Sequence, residues 1–201
     1  GFEKQLPDGH PYIKTFTKYQ AEFGGANRVM VALMAKEGDI FTPKYFKNLE
    51  AVTRAISDMP GVDQSSVTSL FTPNVRFTEV VEDGFTGGNV IPADFPAGKA
   101  NPTHEDLARV RENVLKSNYM GRLVTDSFNG TMVMANLLDI DSDTGERLDT
   151  FALAKRLEAL RVKHESNAVS VHIIGFAKVM GDVRDGALNV VFFFGVTVVV
   201  T

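Results

Sequence analysis

The sequence contains no cysteine and no tryptophan among its 201 residues. Without cysteine, disulfide bonds and thiolate metal sites are excluded, so the fold must be stable through burial alone. No segment carries a dense run of lysine and arginine, and the net charge is −4, which makes nucleic acid an unsuitable partner. The first ten residues lack the apolar stretch of a signal peptide, so we expect any export signal to lie upstream of this sequence.

Motifs that mark catalytic or cofactor sites are missing as well. The sequence has no phosphate-binding glycine loop, no nucleophile elbow and no pair of histidines at zinc-binding spacing. Its histidines are isolated from one another. His172 lies in a predicted apolar strand, where a packed or interfacial histidine is favoured over a ligand or a base. The sequence therefore predicts no enzyme, no catalytic residue, no cofactor and no metal.

One acidic segment, residues 139–145, has some metal-binding character. Carboxylates at alternating positions, here Asp139, Asp141 and Asp143, can wrap Ca²⁺. The glycine comes one position too late for an EF-hand loop, and Thr150 stands where that loop needs a bidentate glutamate. The favoured interpretation is a solvated turn that places negative charge before the N-terminus of the next helix. A calcium-dependent adhesion module is the weaker alternative.

Apolar residues are present in the amount that an independent core requires. Hydrophobic residues make up 44% and charged residues 23% of the chain, as in ordinary globular proteins of one large or two small domains. Alternating and helical hydrophobic periodicities predict a series of elements. In chain order these are a helix over 8–23, a strand over 27–36, a helix from 42 to 56, a weaker strand over 62–72, a helix over 103–117, a hairpin over 123–138, a helix over 150–165 and a strand over 168–174.

Local signals place several of these boundaries. Thr42 and Pro43 supply an N-cap and a first-turn proline, and a capping-box pattern starts at Thr103. Asn129 and Gly130 stand between two apolar runs. They are the residue pair of a type I′ turn, so they predict a tight hairpin.

The order of the elements predicts the fold class. Two β-α-β halves follow one another, as in a ferredoxin-like split β-α-β domain of the α+β class. In that arrangement an antiparallel sheet carries both main helices on one face. The strand over 27–36 is apolar at both alternating sets of positions, which indicates a central strand covered on both faces.

Residues 73–102 form an insertion between the second strand and the predicted hairpin. The segment is rich in proline and glycine, and it also carries aromatic and β-branched residues. A structureless loop of this length is uncommon in a compact domain, and the aromatic residues argue against disorder. We interpret it as an ordered insertion, or as a flap that packs on a neighbour. The candidate contacts to a substrate or partner are Phe71, Phe77, Phe85 and Phe95. The alternative is that these phenylalanines only cover one end of the domain's own core.

The C-terminal run over residues 188–201 is almost wholly apolar, with Asn189, Thr197 and Thr201 as its polar members. A membrane-spanning helix needs about 20 apolar residues, and the sequence stops before that number is reached. The run is therefore either a transmembrane helix cut off partway or a buried final strand rich in valine and phenylalanine. Periodicity does not separate the two.

Three segments give the sequence a resemblance to a known family. They are LPDGHPYIKTFTKYQAEFGGANRVMVAL (6–33), SLFTPNVRFTEVVEDGFTGGNVIPADFP (69–96) and VHIIGFAKVMGDVRDGALNVVFFFGVTVVVT (171–201). Together they resemble the extracytoplasmic loop of transporters of the resistance-nodulation-division (RND) superfamily, in the MMPL-like and patched-like branch of predicted exporters. The last segment is the most specific, because it joins a soluble strand to a membrane helix in the order of that family.

The resemblance implies a division into three parts. Residues 1–25 would be a membrane-proximal N-terminal helix, and residues 26–178 an α+β porter domain with the insertion 73–102 and the extra helix 103–117. Residues 179–201 would be a turn and the truncated start of a transmembrane helix.

The resemblance also implies a function: a periplasmic porter domain of a proton-driven exporter in the bacterial inner membrane. Its cargo would be hydrophobic or amphiphilic small molecules or lipids, and the parent would form a homo-oligomer held in the membrane by flanking helices. No catalytic residue is carried over, because the family's proton-relay carboxylates lie in the membrane, outside this sequence. The alternative is a soluble α+β interaction or enzyme domain whose apolar C-terminus is a core strand.

Overall fold

The computed structural model describes residues 28–175, except residues 97, 99–100, 142–143 and 147. These residues form three α-helices and two antiparallel sheets, so the predicted α+β class is confirmed. In chain order the elements are β1 (Arg28–Ala35), α1 (Pro43–Ser57), a 3₁₀ turn (Gln64–Ser66), β2 (Arg76–Val81), β3 (Gly84–Asn89), α2 (His104–Lys116), β4 (Gly130–Asn136), α3 (Thr150–His164) and β5 (Val169–Gly175).

Strand β1 is the centre of the larger sheet, with β4 along one edge and β5 along the other. Both pairings are antiparallel, and Val31 lies opposite Val133 of β4 and Ile173 of β5. Because side chains alternate between the faces of a strand, this register collects the valines on one face. Val29, Val31 and Leu33 are at most 1% exposed and form the floor of the core.

The other face of β1 is more open than its sequence predicts. Met30, Ala32 and Met34 are half-buried, whereas their neighbours along the strand are fully buried. Within the described residues, β1 is fully covered on its valine face and partly covered on the other. Methionine and alanine are apolar enough to give both faces the same signature, so periodicity did not separate the covered face from the open one.

The segment after α1 runs along the outer side of β4. Val62 bridges Leu137 and Thr68 bridges Met134, both in antiparallel orientation. Between the two bridges the chain winds through the 3₁₀ turn. The strand predicted over 62–72 is therefore reduced to two isolated bridges, because a short helical turn capped by an aspartate interrupts it.

The helices begin where their capping residues predict. Thr42 Oγ accepts a hydrogen bond from the Tyr45 amide at 3.2 Å, and Pro43 occupies the first turn of α1. Thr103 and Asp106 form a reciprocal capping box at the start of α2. Apolar residues of α1 and α3 share one core with the buried face of the sheet; these include Leu49, Val52, Ile56, Leu153, Leu157 and Leu160.

A buried hydroxyl group connects α1 to the sheet. Tyr45 is 2% exposed, and its phenol donates to the Leu33 carbonyl oxygen at 2.7 Å. The phenol oxygen of Tyr45 also lies 2.8 Å from Thr131 Oγ, and the Thr131 side chain is buried as well. One hydroxyl therefore links a β1 carbonyl to the buried Thr131 hydroxyl of β4, so that each of the two buried hydroxyls has a partner. Burial raises the pKa of the Tyr45 phenol above its ordinary value.

Within the described residues, the proline- and glycine-rich insertion contains the hairpin of β2 and β3, so this part of it is structured, as predicted. Three hydrogen bonds hold the base of this hairpin and the side of it that faces α2. The Val90 amide donates to the Val75 carbonyl at 3.0 Å, and Asn113 Nδ2 of α2 donates to the Val90 carbonyl at 3.0 Å. Lys116 Nζ of α2 contacts Glu79 Oε2 at 2.9 Å. The hairpin therefore rests on α2 and not on the larger sheet.

The hairpin predicted over 123–138 has β4 as its second arm, and its first arm is reduced to an isolated antiparallel bridge between Val124 and Thr131. Thr125 Oγ accepts hydrogen bonds from the amides of Asn129 and Gly130, each at 3.0 Å, and Phe128 adopts a positive φ of 55°. Neither Asn129 nor Gly130 has a positive φ, so the predicted type I′ turn is wrong. The threonine side chain satisfies those amides and turns the chain earlier than the Asn-Gly pair would.

Among the described residues, no helix is long and apolar enough to cross a membrane. The apolar run 188–201 and the helix predicted over 8–23 lie outside the described residues. The same holds for the predicted membrane-proximal part, 1–25, and the predicted turn with the start of a membrane helix, 179–201.

Replacing Tyr45 with phenylalanine tests the buried hydroxyl. We expect Tyr45→Phe to lower the free energy of unfolding by about 1–2 kcal/mol, because Thr131 Oγ loses its partner inside the core. Chemical denaturation followed by circular dichroism measures the change. Tyr119→Phe is the control, since the Tyr119 hydroxyl bonds the Asn74 carbonyl at an exposed position. A loss no larger than the control's would contradict the assigned role.

The raised pKa of Tyr45 also predicts a dependence of stability on pH. A free phenol ionises near about pH 10, whereas the folded protein keeps this phenol protonated, so the unfolded state loses the proton first. Stability should therefore be complete below that pH and fall above it, by up to about 1.4 kcal/mol per pH unit. Tyr45→Phe should remove this component and Tyr119→Phe should retain it. Equal alkaline slopes in the two variants would refute the prediction.

Candidate binding surfaces

Two of the predicted contact residues, Phe71 and Phe95, lie in a cluster of aromatic rings. The Phe71 and Phe95 ring centroids are 5.9 Å apart, and they lie 6.1 and 5.9 Å from the Phe46 ring of α1. Phe95 is 6% exposed and Phe71 is half-buried against the core. Phe95 therefore packs the insertion against α1, and Phe71, which precedes the insertion, packs beside it.

The other two predicted contact residues lie on opposite faces of the β2–β3 hairpin. Phe77 pairs with Gly88 on the face turned toward α2, and it is half-buried there. It lines an open pocket of about 510 Å³ between the hairpin base and α2. Phe85 pairs with Val80 on the outer face, where the two side chains are 80% and 76% exposed. The structure therefore does not bring the four phenylalanines together.

We define the hairpin tip as residues Val80–Phe85. Its turn carries Glu82 and Asp83, both exposed, between two apolar strand ends. Val80 and Phe85 form the apolar surface of the tip, whereas Val81, which is 42% exposed, lies on the opposite face with Phe77. Exposed apolar clusters of this kind mark contact sites more often than isolated apolar residues do.

We define the methionine face as the half-covered face of the larger sheet. Its register places Met30 between Met134 and Ile174, and Ala32 between Met132 and His172. Ile174 is 49% exposed and the methionines are half-buried. Unbranched, polarizable methionine side chains adapt to differently shaped apolar partners. The face is therefore soft and apolar at its centre, with Arg28 at one end and His172 at its β5 edge.

A pocket of about 310 Å³ adjoins the methionine face. It lies between β1, β4 and the turns around residues 121–126. Met34 lies across Gly130 of β4, and a Cβ added to that glycine would overlap Met34 Sδ. The absence of a Cβ at Gly130 therefore leaves room for the Met34 side chain beside the pocket.

We define the lysine groove as a third surface, between the start of α1 and the end of α3. It is lined by Lys44, Lys47, Asn48, Ala51, Lys163, His164, Glu165, Ser166 and Val169, and its volume is about 330 Å³. Lys44 and Lys163 are exposed, whereas Val169 is buried. The groove thus combines lysine ammonium groups with a small apolar floor.

The charges around the lysine groove are unequal. Glu165, its one carboxylate, contacts Lys36 Nζ at 3.0 Å and accepts a hydrogen bond from the Val171 amide at 2.8 Å. That backbone hydrogen bond, followed by Lys36, lowers the pKa of the Glu165 carboxyl. Burial, followed by the charge of Lys163, holds the pKa of His164 below its usual value. At neutral pH the groove therefore carries positive charge on its lysines while its histidine is neutral.

No group of three or more histidine and acidic residues with metal-binding geometry occurs among the described residues. Asp143 of the acidic turn lies outside them. Asp149 caps α3, accepting hydrogen bonds from the amides of Phe151 and Ala152. His172 is exposed and lies 3.2 Å from Ser170 Oγ.

The methionine face and the lysine groove were not among the predicted sites. The methionine face had a signal, since Met30, Met34, Met132 and Met134 stand two or four positions apart in two predicted strands. The lysine groove had no such signal in the sequence, because its lysines come from helices that are far apart along the chain.

Comparison with known proteins provides no family assignment. No protein-family model matches the chain, and a search of curated proteins finds no match either.

Gly130 tests the packing beside the methionine face. We expect Gly130→Ala to lower the free energy of unfolding by about 1–3 kcal/mol, because the added methyl group overlaps Met34. The double variant Gly130→Ala, Met34→Ala should recover most of the loss, and Met34→Ala alone is the matched control. Thermal and chemical denaturation measure the differences. If the double variant is no more stable than Gly130→Ala, Met34 does not occupy the space beside this glycine.

Proposed function

We propose that the chain is a periplasmic porter domain of an RND-type exporter that passes hydrophobic or amphiphilic compounds from the inner membrane. One observation carries the proposal: the antiparallel order of residues 62–68, β4, β1 and β5, with α1 and α3 in the core on one face. This is the strand order that a ferredoxin-like split β-α-β domain would have. Since such folds carry many functions, the transport assignment depends on the family resemblance of the sequence.

The methionine face supports the choice of cargo. A porter domain for varied apolar compounds needs a surface that adapts its shape and offers few fixed polar partners. Met30, Met132 and Met134 supply such a surface, and the adjoining pocket of about 310 Å³ would hold a small apolar group. We assign this face to cargo and the hairpin tip to contacts with a partner.

The coding sequence on both sides of this segment provides the first test. The proposal requires transmembrane helices that directly adjoin residues 1 and 201. A stop codon soon after residue 201 would rule it out.

A charge placed in the methionine face tests its role in transport. We expect Ala32→Glu in the parent transporter to lower efflux of a lipophilic fluorescent dye by about tenfold or more, because a carboxylate next to apolar cargo is poorly solvated. Val162→Glu is the matched control, since Val162 is 61% exposed on α3. Membrane levels of both variants are measured by immunoblot. Equal dye efflux at equal levels would contradict the assignment of cargo to this face.

Removal of residues 188–201 separates the proposal from its alternative, a soluble α+β interaction or enzyme domain. If this run begins a membrane helix, the truncated chain should keep its circular dichroism spectrum and unfolding midpoint and become more soluble. If the run is a core strand, the truncated chain should unfold. The second outcome would favour the soluble domain.

A further inference from the structure

The hairpin tip is an apolar and acidic surface that the described residues leave uncovered. The inner face of the hairpin is held against α2 by Lys116 and Glu79, at 2.9 Å. Val80 and Phe85 on the outer face remain 76% and 80% exposed. Glu82 at the turn is exposed beside them. A surface that binds this tip must therefore offer both an apolar floor and positive charge.

The hairpin that carries the tip is small, and binding to a partner would increase its stability. An isolated two-stranded hairpin is at best marginally stable in water, and the contacts with α2 hold only one face of this one. Gly84 next to the turn has a φ of 133°, a conformation that side chains rarely adopt. The tip is thus a defined turn that projects from α2 with its outer apolar pair in solvent.

The lysine groove has the complementary properties. Lys44 and Lys163 are exposed at its rim, and Ala51 and Val169 contribute apolar surface. Its one carboxylate, Glu165, already contacts Lys36. The first turn of α1 contains no acidic residue that would offset the lysine charges.

We propose that the hairpin tip of one molecule docks in the lysine groove of a second copy of this chain. Phe85 enters the groove between α1 and α3, and Glu82 and Asp83 meet Lys44 and Lys163 at its rim. The tip does not fill the groove of its own molecule, since both apolar side chains of its outer face remain exposed. Charge complementarity of this kind selects the partner and speeds association.

The tip and the groove are different surfaces, so the contact is heterologous. Each molecule offers one tip and one groove. Such contacts close into a ring when the rotation between neighbours permits it, and otherwise they continue as a filament. The proposal does not depend on transport, because it concerns only these two surfaces of the chain.

Charge reversal tests the contact by sedimentation velocity of the full 201-residue chain over a range of concentrations. We expect the wild type to associate, and association to weaken when salt is raised from about 50 to 500 mM. The tip variant Glu82→Lys, Asp83→Lys should associate about tenfold more weakly, as should the groove variant Lys44→Glu, Lys163→Glu. The control Asp58→Lys, Glu146→Lys reverses two exposed charges outside the tip and the groove and should not weaken association.

Mixing the two reversed variants gives the sharpest result. Each variant alone has a tip and a groove of like charge, whereas the mixture offers opposite charges in both combinations. We therefore expect the equimolar mixture to recover association. A monomeric wild type, or a mixture that stays dissociated, would overturn the proposal. Association that neither variant weakens would also overturn it, and would point to another surface such as the apolar run 188–201.

A fluorescence measurement reports on the tip directly. The chain has no tryptophan, so Phe85→Trp introduces a single emitter. Its emission should shift to shorter wavelength as the protein concentration rises, because the ring enters the groove. The shift should disappear when Lys44→Glu and Lys163→Glu are added to the same chain. A concentration-independent emission maximum would show that the tip stays in solvent.

Discussion

Strand β1 pairs with a neighbour along each edge. Its covered face determines where the other elements pack. Val31 and Leu33 are fully buried on that face, beneath α1 and α3. The Tyr45 hydroxyl bonds a carbonyl of β1 and lies beside a threonine of β4, which connects α1 to both strands. Once this face is closed, the methionines must lie on the opposite face, because alternate side chains of a strand point in opposite directions.

Much of the fold could be predicted from the sequence, because its signals are local. Thr42 and Thr103 cap helices whose apolar positions recur at helical spacing, and both helices start where the capping residues place them. The predictions that failed depend on competing contacts. The Thr125 side chain satisfies the amides that Asn129 and Gly130 would have presented in a type I′ turn. A sequence pattern of a few residues does not show which acceptor these two amides will bind.

The candidate sites were harder to predict, because composition does not tell an aromatic core from an aromatic surface. Phe95 and Phe85 stand in the same proline- and glycine-rich insertion, yet one is 6% and the other 80% exposed. The difference arises from a long-range contact: Phe95 reaches the Phe46 ring of α1, whereas Phe85 lies on the outer face of a hairpin that rests on α2. Similarly, Lys44 and Lys163 line the same groove because α1 and α3 pack on the same face of one sheet.

The pairing of β1 with β5 has a consequence for synthesis on the ribosome. Val29 pairs with Gly175, so one edge of the central strand stays unpaired until nearly all of the described chain has been made. At about 5–20 residues per second, translation of the intervening segment takes on the order of ten seconds. Once β4 has also been made, β1 and β4 present an apolar sheet with one unpaired edge until β5 follows. Chaperones that shield nascent strands would therefore protect this protein most just before β5 emerges.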